Sequence, residues 1–330
     1  MNQKLNVACF GNNGHQILGK LKGHPKARLA AVGKISPQQV EKNLGSEAAS
    51  TVKFIDDLDS IINDEEIDLI SLCSPRRDQQ CDHAIECLLG GKHVLAEKPA
   101  AFTISQLDKL RAVAAESSTH FRQMGSCGEE KILVAIRELV DSGELGEIVH
   151  VFAQKSYPYH DGRPQDRGID GGLIRQAGIH GVRFIQWATG LRATRTSGID
   201  TTTGNPKNGR LQMASSVSLE LENGAVASLL CNYLNPNGIG YWGNDQLRVF
   251  GTKGMVEAVD GFNRCRMILG EHDPQPIPNI TDEFPDFFDT YVDFITRGTP
   301  MPYSPDDDLY ALQTVIRSQE AVDSGTILDI

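Results

Sequence analysis

Lys98 is the residue whose type and setting point most directly to proton chemistry. It closes the run Gly91-Lys92-His93-Val94-Leu95-Ala96-Glu97-Lys98-Pro99, an apolar strand that delivers a lysine to a proline turn. A residue before proline is biased away from αR, so the side chain is presented at the strand end, where open α/β sheets bind their ligands. A partly desolvated ammonium at such a place can exchange a proton with a substrate oxygen and hydrogen-bond it as charge develops. A lone lysine at a strand end would otherwise be a surface charge, so its flanking residues and its companions decide.

The first companion is Gly171-Gly172-Leu173-Ile174-Arg175-Gln176-Ala177-Gly178-Ile179-His180, a glycine pair leading into a helix. Four-residue spacing on an α-helix predicts that Gln176 and His180 share one face. Histidine can donate or accept a proton, whereas an amide binds hydroxyls without titrating, so either the proton step falls to Lys98 with His180 or the chain performs no such step. Leu173, Ala177, His180, Phe184 and Trp187 also form one stripe, which suits a hydrogen-bonded core histidine equally. Gly178 inside a helix costs ~1 kcal/mol relative to alanine and predicts close approach by a neighbour.

The second companion is Gly11-Asn12-Asn13-Gly14-His15-Gln16, which follows the apolar run Asn6–Phe10 and precedes a helix expected to start near His15. In the dinucleotide fingerprint G-x-G-x-x-G, glycines permit the tight turn, backbone approach to a pyrophosphate and close helix–strand packing. Only Gly11 occupies its slot; Asn13 and Gln16 stand in the other two and Gly14 is shifted by one. Asparagine tolerates αL, so the turn is expected to survive. Taken alone, the segment fits an ordinary strand-to-helix turn equally well. After the second strand, where NAD-binding folds place an acid on the ribose, the chain reads Gly33-Lys34-Ile35-Ser36-Pro37. A cation and a hydroxyl there suit a 2′-phosphate and favour NADP over NAD; a solvated turn lysine and a helix cap is the competing reading. Ser74-Pro75-Arg76-Arg77 closes the fourth strand. Tyr157-Pro158-Tyr159-His160-Asp161-Gly162-Arg163-Pro164 is a loop in which Tyr159 could line a substrate site and Arg163 or Arg167 could meet a carboxylate or sugar phosphate, or face solvent. No His/Asp/Cys cluster has metal spacing, and there is no nucleophile elbow.

These groups need a scaffold, and the first 120 residues alternate strand and helix. Strands are expected near Leu5–Phe10, Leu29–Val32, Val52–Ile55, Ile67–Cys73 and His93–Ala96, which implies a parallel sheet with right-handed crossovers. Ser36-Pro37-Gln38-Gln39 and Thr103-Ile104-Ser105-Gln106 read as capping boxes, the second stapled by Phe102 and Leu107. Later the texture changes. A helix at Glu130–Ser142 precedes strands at Val149–Tyr157, Leu211–Leu221 and Ala225–Leu234, the last two joined by a hairpin at Glu222-Asn223-Gly224. A further hairpin is expected at Gly251-Thr252-Lys253-Gly254, then helices at Glu283–Thr296 and Pro305–Ser324. The expected fold is α/β: residues 1–123 form a doubly wound, Rossmann-type parallel sheet. Residues 124–330 form an α+β domain with a large, mostly antiparallel sheet for substrate binding and oligomerisation.

Composition agrees. The 330 residues suit two domains, and 40% hydrophobic content is globular. A net charge of −11 disfavours nucleic acid, whose phosphates need clustered Lys and Arg. Seven cysteines (Cys9, Cys73, Cys81, Cys87, Cys127, Cys231, Cys265) without a C-x-x-C pair read as reduced, buried thiols. No secretory leader and no run near the ~20 residues of a membrane span is apparent, so a cytoplasmic protein is expected.

Glu97-Lys98-Pro99, the glycine turn after the first strand and the Gly171–His180 segment together resemble the signatures of the glucose–fructose oxidoreductase / inositol dehydrogenase / rhizopine-catabolism (Gfo/Idh/MocA) family, over essentially the whole chain. The resemblance implies an NAD(P)-dependent dehydrogenase acting on a secondary alcohol or ketone of a sugar, inositol or related polyol. Lys98, His180 and Gln176 would be the reacting groups, with Tyr159 and Arg163 also on the substrate. Gly11, Asn12, Asn13, Gly14, His15, Lys34, Ser36, Ser74, Pro75, Arg76, Glu97 and Lys98 would hold the cofactor. The ligands would lie between the two domains, and the free face of the second sheet would make a homodimer or homotetramer. A cis Lys98–Pro99 bond is also implied, against a background of ~5–6% for X–Pro bonds. Many relatives carry Asp at the place of Gln176, where glutamine resembles a subset of the family, and Thr-Pro-Asn at the place of Ser74-Pro75-Arg76, a pattern from which Arg76 departs. The family also contains non-catalytic cofactor-binding regulators and redox-assisted glycosidases, which are the rival readings.

Overall fold

The computed structural model describes residues 4–125, 130–280 and 285–330, so Cys127, Met1-Asn2-Gln3 and the start of the helix expected at 283 lie outside the described residues. The chain divides into two compact units. One comprises Met1–Gly125, Gly168–Asp170 and Asp286–Pro305; the other comprises Ser126–Arg167, Gly171–Pro285 and Asp306–Ile330. The sequence suggested one boundary, at 123/124; the first unit also takes back a short and a longer piece of the later chain.

The first unit is a six-stranded parallel sheet of β1 (Leu5–Phe10), β2 (Ala27–Gly33), β3 (Lys53–Phe54), β4 (Leu69–Leu72), β5 (His93–Ala96) and β6 (Phe121–Gln123), in the order β3-β2-β1-β4-β5-β6. The order reverses between β1 and β4, the switch point where ligands bind at the carboxyl ends of strands in this fold. The residues following those two strands are Gly11 and Cys73-Ser74. Valine, leucine and alanine fill the strands because both faces are covered: Val7, Ala8, Leu69, Ile70, Val94 and Leu95 are fully buried. The helix Phe287–Arg297 completes this core. It buries Phe288, Tyr291 and Val292 at helical spacing, and the Tyr291 hydroxyl donates to the carbonyls of Val94 and His120 at 2.9 and 2.7 Å. On its polar side Asp289 and Asp293 meet His24 and Lys26 at 2.8 and 2.6 Å.

The second unit holds an eight-stranded sheet: β7 (Ile148–Ser156), β8 (Ala193–Thr201), β9 (Ala214–Leu221), β10 (Val226–Asn232), β11 (Gln246–Gly251), β12 (Gly254–Val259), β13 (Arg264–Leu269) and β14 (Leu328–Asp329). They are ordered β13-β12-β11-β7-β10-β9-β8-β14. Only the β7–β10 pair is parallel. The hairpin between β9 and β10 turns at Glu222-Asn223-Gly224, with Gly224 at φ +83°, and β11 and β12 pair antiparallel across Thr252-Lys253. Alternation sorts the faces. Val217, Leu219, Ala227 and Leu229 are buried at 1–2% exposure, while Val226 and Ile199, on the opposite face, stay open. The helix Ile179–Thr189 packs on β7 and β10 and is tied to the helix Pro305–Ser324 by a buried ion pair, Arg183 Nε to Asp308 Oδ1 at 2.9 Å.

The pattern-based elements differ from the structure in instructive places. The α-helix expected from His15 is a five-residue 3-10 helix, Ile17–Leu21, because Gly19, Gly23 and Pro25 leave no room to propagate a longer one. The capping box at Ser36 is complete, its hydroxyl accepting from Gln39 N–H. At Thr103 only half a box forms: Gln106 Oε1 accepts from Phe102 N–H instead of the cap residue. Strands β6, β8, β13 and β14 carry charges, threonines or short apolar runs that hide the period-two pattern. Six described cysteines are free thiols, five of them buried.

Candidate active site

In the first unit the glycine turn, the end of β4 and the end of β5 converge. Gly11 and Gly14 carry positive φ, +76° and +121°, and Asn13 does not; the left-handed positions fall on the two glycines, not on the asparagine. A Cβ on Gly11 would lie 2.0 Å from the Cys73 carbonyl oxygen, so no side chain fits where β1 meets β4. Gln16 replaces the last fingerprint glycine by bonding. Its amide donates to the carbonyls of Gly11 and Ser71 at 3.0 and 3.2 Å and accepts from the Ser71 hydroxyl at 2.6 Å and from Ile17 N–H at 3.0 Å. Asn13 donates its amide to the Pro75 and Ile169 carbonyls, while Asn12 is exposed.

Glu97 is the hub. It is 2% exposed, accepts from His15 N–H at 3.1 Å, meets His15 Nδ1 at 3.2 Å and lies 3.8 Å from Lys98 Nζ. Burial alone would push its carboxyl up, but the His15 hydrogen bond and the charges of Lys98 and Arg77 bring it down to about 2. Glu97 is therefore ionised and supplies the counter-charge to Lys98, itself 3% exposed. The Lys98–Pro99 bond is cis, as the resemblance implied. The neighbouring thiol of Cys73 is raised well above its ordinary value by burial and by Glu97, so it offers no nucleophile.

Arg77, which sequence reasoning passed over in favour of Arg76, faces this cluster. Arg76 is exposed and paired with Asp78 at 2.7 Å, whereas Arg77 is 2% exposed and donates Nη2 to the Asn13 carbonyl. Ser74 is buried and its hydroxyl is engaged with His83 Nδ1 at 2.8 Å; Pro75 is exposed. At the end of β2, Lys34 is exposed and left-handed, with φ +55°. Asp57 feels its charge. The Ser36 hydroxyl is spent on its helix cap. Together, Asn13, Gly14, His15, Arg77, Glu97 and Lys98 form one cluster, whereas Lys34 and Ser36 sit at a separate strand end.

In the second unit the glycine pair is required: Gly171 and Gly172 have φ +103° and +75°. The segment Ile174–Gly178 is a π-helix that continues into the α-helix Ile179–Thr189. The four-residue spacing of Gln176 and His180 therefore spans a π turn, not the plain α-helical face expected. Such turns concentrate at functional sites. Gly178 is not the point of close approach, since a Cβ there would make ordinary 3.5 Å contacts; at Gly181 it would lie 2.2 Å from Leu229 Cδ1. Gln176 and His180 are half-buried. The buried Tyr233 hydroxyl donates to Gln176 Oε1 at 3.5 Å, and the Arg163 guanidinium stacks 3.6 Å over the Tyr233 ring while donating to the Pro158 carbonyl at 3.1 Å. Arg163 is thus a buried support, not a solvated arginine. Tyr159 is half-buried and donates to Asp161 at 3.4 Å. Tyr233, at the end of β10, carried no sequence signal because nothing in its local pattern separates it from a core aromatic.

Comparison with known proteins agrees with this arrangement. Residues 5–123 match the oxidoreductase family with an NAD-binding Rossmann fold, and residues 133–257 match the GFO/IDH/MocA C-terminal domain. The chain is 31% identical over 136 residues to the uncharacterized oxidoreductase YhhX of Escherichia coli, a match covering 40% of this chain and 38% of that protein. It is 24% identical over 267 residues to D-xylose dehydrogenase of Paenarthrobacter nicotinovorans, covering 73% of this chain and 67% of that protein. The fold is similar to that of a Thermotoga maritima oxidoreductase structure, with TM-score 0.87, 25% identity, and coverage of 99% of this chain and 100% of that one. The two family matches place the chain in the Gfo/Idh/MocA family of NAD-binding oxidoreductases.

Proposed function

We propose that this chain is an NAD(P)-dependent dehydrogenase that moves a hydride between nicotinamide and a secondary alcohol or ketone of a sugar, inositol or related polyol. The observation that carries the reading is the buried Lys98 ammonium with ionised Glu97 3.8 Å away, an expensive arrangement to bury that suits proton handling. The similarity to D-xylose dehydrogenase supports the sugar class. A dinucleotide at the switch point between β1 and β4 would be held by Gly11, Asn12, Asn13, Gly14, His15, Ser74, Pro75, Arg76 and Glu97. When bound, it supplies the hydride acceptor or donor. Lys98 hydrogen-bonds the substrate oxygen and moves its proton, Glu97 supplies a counter-charge 3.8 Å from its Nζ, and His180 is the second proton carrier. Gln176 orients a hydroxyl without titrating, Tyr159 contacts substrate, and Arg163 acts from behind through Tyr233.

Lys98→Met tests the reading. We expect kcat to fall by ~10²-fold or more with affinity for NAD(P)H largely intact; turnover like that of the unaltered protein would remove Lys98 from the mechanism. The exposed, left-handed Lys34 supports NADP over NAD; the hydroxyl and backbone N–H of Ser36 are both engaged in its helix cap, so Lys34 alone carries that reading. Lys34→Asp should then shift preference toward NAD in fluorescence titrations, and no shift would reject that assignment. We further propose that a second copy, as homodimer or homotetramer, covers the open face of the eight-stranded sheet, where Ile199 and Val226 are 73% and 53% exposed. Light scattering of the native protein and of Ile199→Asp decides it: a monomer in both rejects the assembly. The reaction is that of a soluble metabolic enzyme of the cytoplasm, and among the described residues no helix is long and apolar enough to cross a membrane.

A further inference from the structure

The glycine turn of this chain lacks the feature that usually receives a dinucleotide's diphosphate. In the Rossmann arrangement the anion sits at the N-terminus of the first α-helix, where free N–H groups and the helix dipole favour negative charge. Here that helix is reduced to the 3-10 segment Ile17–Leu21, whose first N–H is already bonded to the Gln16 side chain. A dianion at this turn therefore needs another source of positive charge.

Arg77 is that source in the structure. It lies directly behind the turn: a Cβ on Gly14 would come within 3.0 Å of its Nη2 and 2.6 Å of Glu97 Cγ. The guanidinium is 2% exposed, and only Nη2 is used, on the Asn13 carbonyl. Nε and Nη1 are buried with no hydrogen-bond partner among the described residues. Leaving buried charged donors unsatisfied is destabilising, and the nearby charges of Glu97 and Asp170 offset this only in part, because Glu97 also answers to Lys98 and His15. Two unmatched N–H donors on one planar cation, one on each side of Nη2, suit the several acceptor oxygens of a phosphate.

We propose that Arg77 binds the cofactor's diphosphate and takes over the anion-holding task of the missing helix N-terminus. The proposal rests on the dinucleotide reading of the turn. Calorimetric titration of the full chain with ADP-ribose, which carries the diphosphate without the nicotinamide, tests it alongside NADH and thermal unfolding of the ligand-free protein. Arg77→Met should weaken ADP-ribose and NADH by roughly 10- to 100-fold, the range for a hydrogen bond to a charged group, while unfolding of the ligand-free protein stays unchanged or moves up. Arg77→Gln keeps an amide able to reach the Asn13 carbonyl but loses the charge, so it separates the two tasks and stands in if the Met variant does not fold. A loss of at least tenfold in Arg77→Gln supports the proposal. Affinity equal to the unaltered protein in Arg77→Met, or restored in Arg77→Gln, overturns it and leaves Arg77 as a tie for the turn. If the unaltered protein binds neither ADP-ribose nor a nicotinamide dinucleotide, the dinucleotide reading falls first and this assignment with it.

Discussion

Glu97→Gln is the most demanding test of the charged cluster, because it preserves shape and removes only the charge. The carboxylate is 2% exposed and balances Lys98 at 3.8 Å together with Arg77 behind the glycine turn. Its folded pKa of about 2, against an ordinary 4.5, is a stability statement. Each unit is worth 1.36 kcal/mol, so the ionised form contributes about 3 kcal/mol. The sign follows from proton uptake. The unfolded chain binds the proton more readily, so this stabilisation is fully present above about pH 4.5 and is lost as pH falls through about 2. Glutamine still accepts from His15 N–H but leaves two buried cations without their counter-ion, a change on the scale of 3–5 kcal/mol. For a unit of this size that is roughly 6–12 °C in melting temperature. Urea and thermal unfolding of both proteins at pH 7, 4 and 2.5 give the answer. The gap should be about 3 kcal/mol at pH 7 and should narrow toward pH 2.5, where the unfolded chain already holds the Glu97 proton and most of the advantage of the ionised form is gone. A gap below about 1 kcal/mol at pH 7, or one that does not change with pH, would refute the hub role of Glu97.

Three further outcomes can be checked. Gly181→Ala should destabilise by about 1–3 kcal/mol, because the new methyl meets buried Leu229 at 2.2 Å; Gly178→Ala should be neutral or slightly stabilising, and urea midpoints of the pair decide. His93, which accepts from His120 N–H and contacts its ring, is lowered by burial and by His120 to about 4. The unfolded chain therefore binds the proton first, and stability falls as pH drops from about 6.5 to 4. His93→Gln, which keeps an acceptor, should flatten that part of the stability profile by up to about 3 kcal/mol; an unchanged slope rejects the assignment. Gln176→Asp should retain turnover and add a titration to the pH profile of kcat, and an unaltered profile would mean that this side chain does not face the reacting oxygen.

The parallel half of the fold was legible because its strands are continuous apolar runs separated by capped helices: β5 has the bounds the sequence suggested, and the Ser36 box closes as its pattern requires. The helix Phe287–Arg297 shows the limit of that reading. Its stripe of Phe288, Tyr291 and Val292 announces a buried face, but nothing local says which core the face enters. It joined the first unit because its tyrosine hydroxyl finds the carbonyls of Val94 and His120. The strands missed in the second unit failed for a related reason. Arg264 and Arg266 on β13 and Arg248 on β11 converge on buried Glu257, so that part of the sheet satisfies charge where the apolar alternation was sought.

The site divides along the same line. Glu97-Lys98-Pro99 is a contiguous motif, so sequence located it, whereas the partners that give it meaning are dispersed. Arg77 and Arg76 are adjacent arginines with identical local propensity, yet one is exposed and paired with Asp78 and the other is buried behind the glycine turn. The difference is set by a contact across 64 positions, Arg77 to the Asn13 carbonyl, which no window on the sequence contains. The π turn at Ile174–Gly178 makes the same point in the other half. A four-residue spacing reads as one helical face until an extra residue enters the turn, and the orientation of Gln176 then depends on Tyr233, 57 positions away. Residue types fixed what chemistry was possible here; long-range contacts chose which arginine and which amide face perform it.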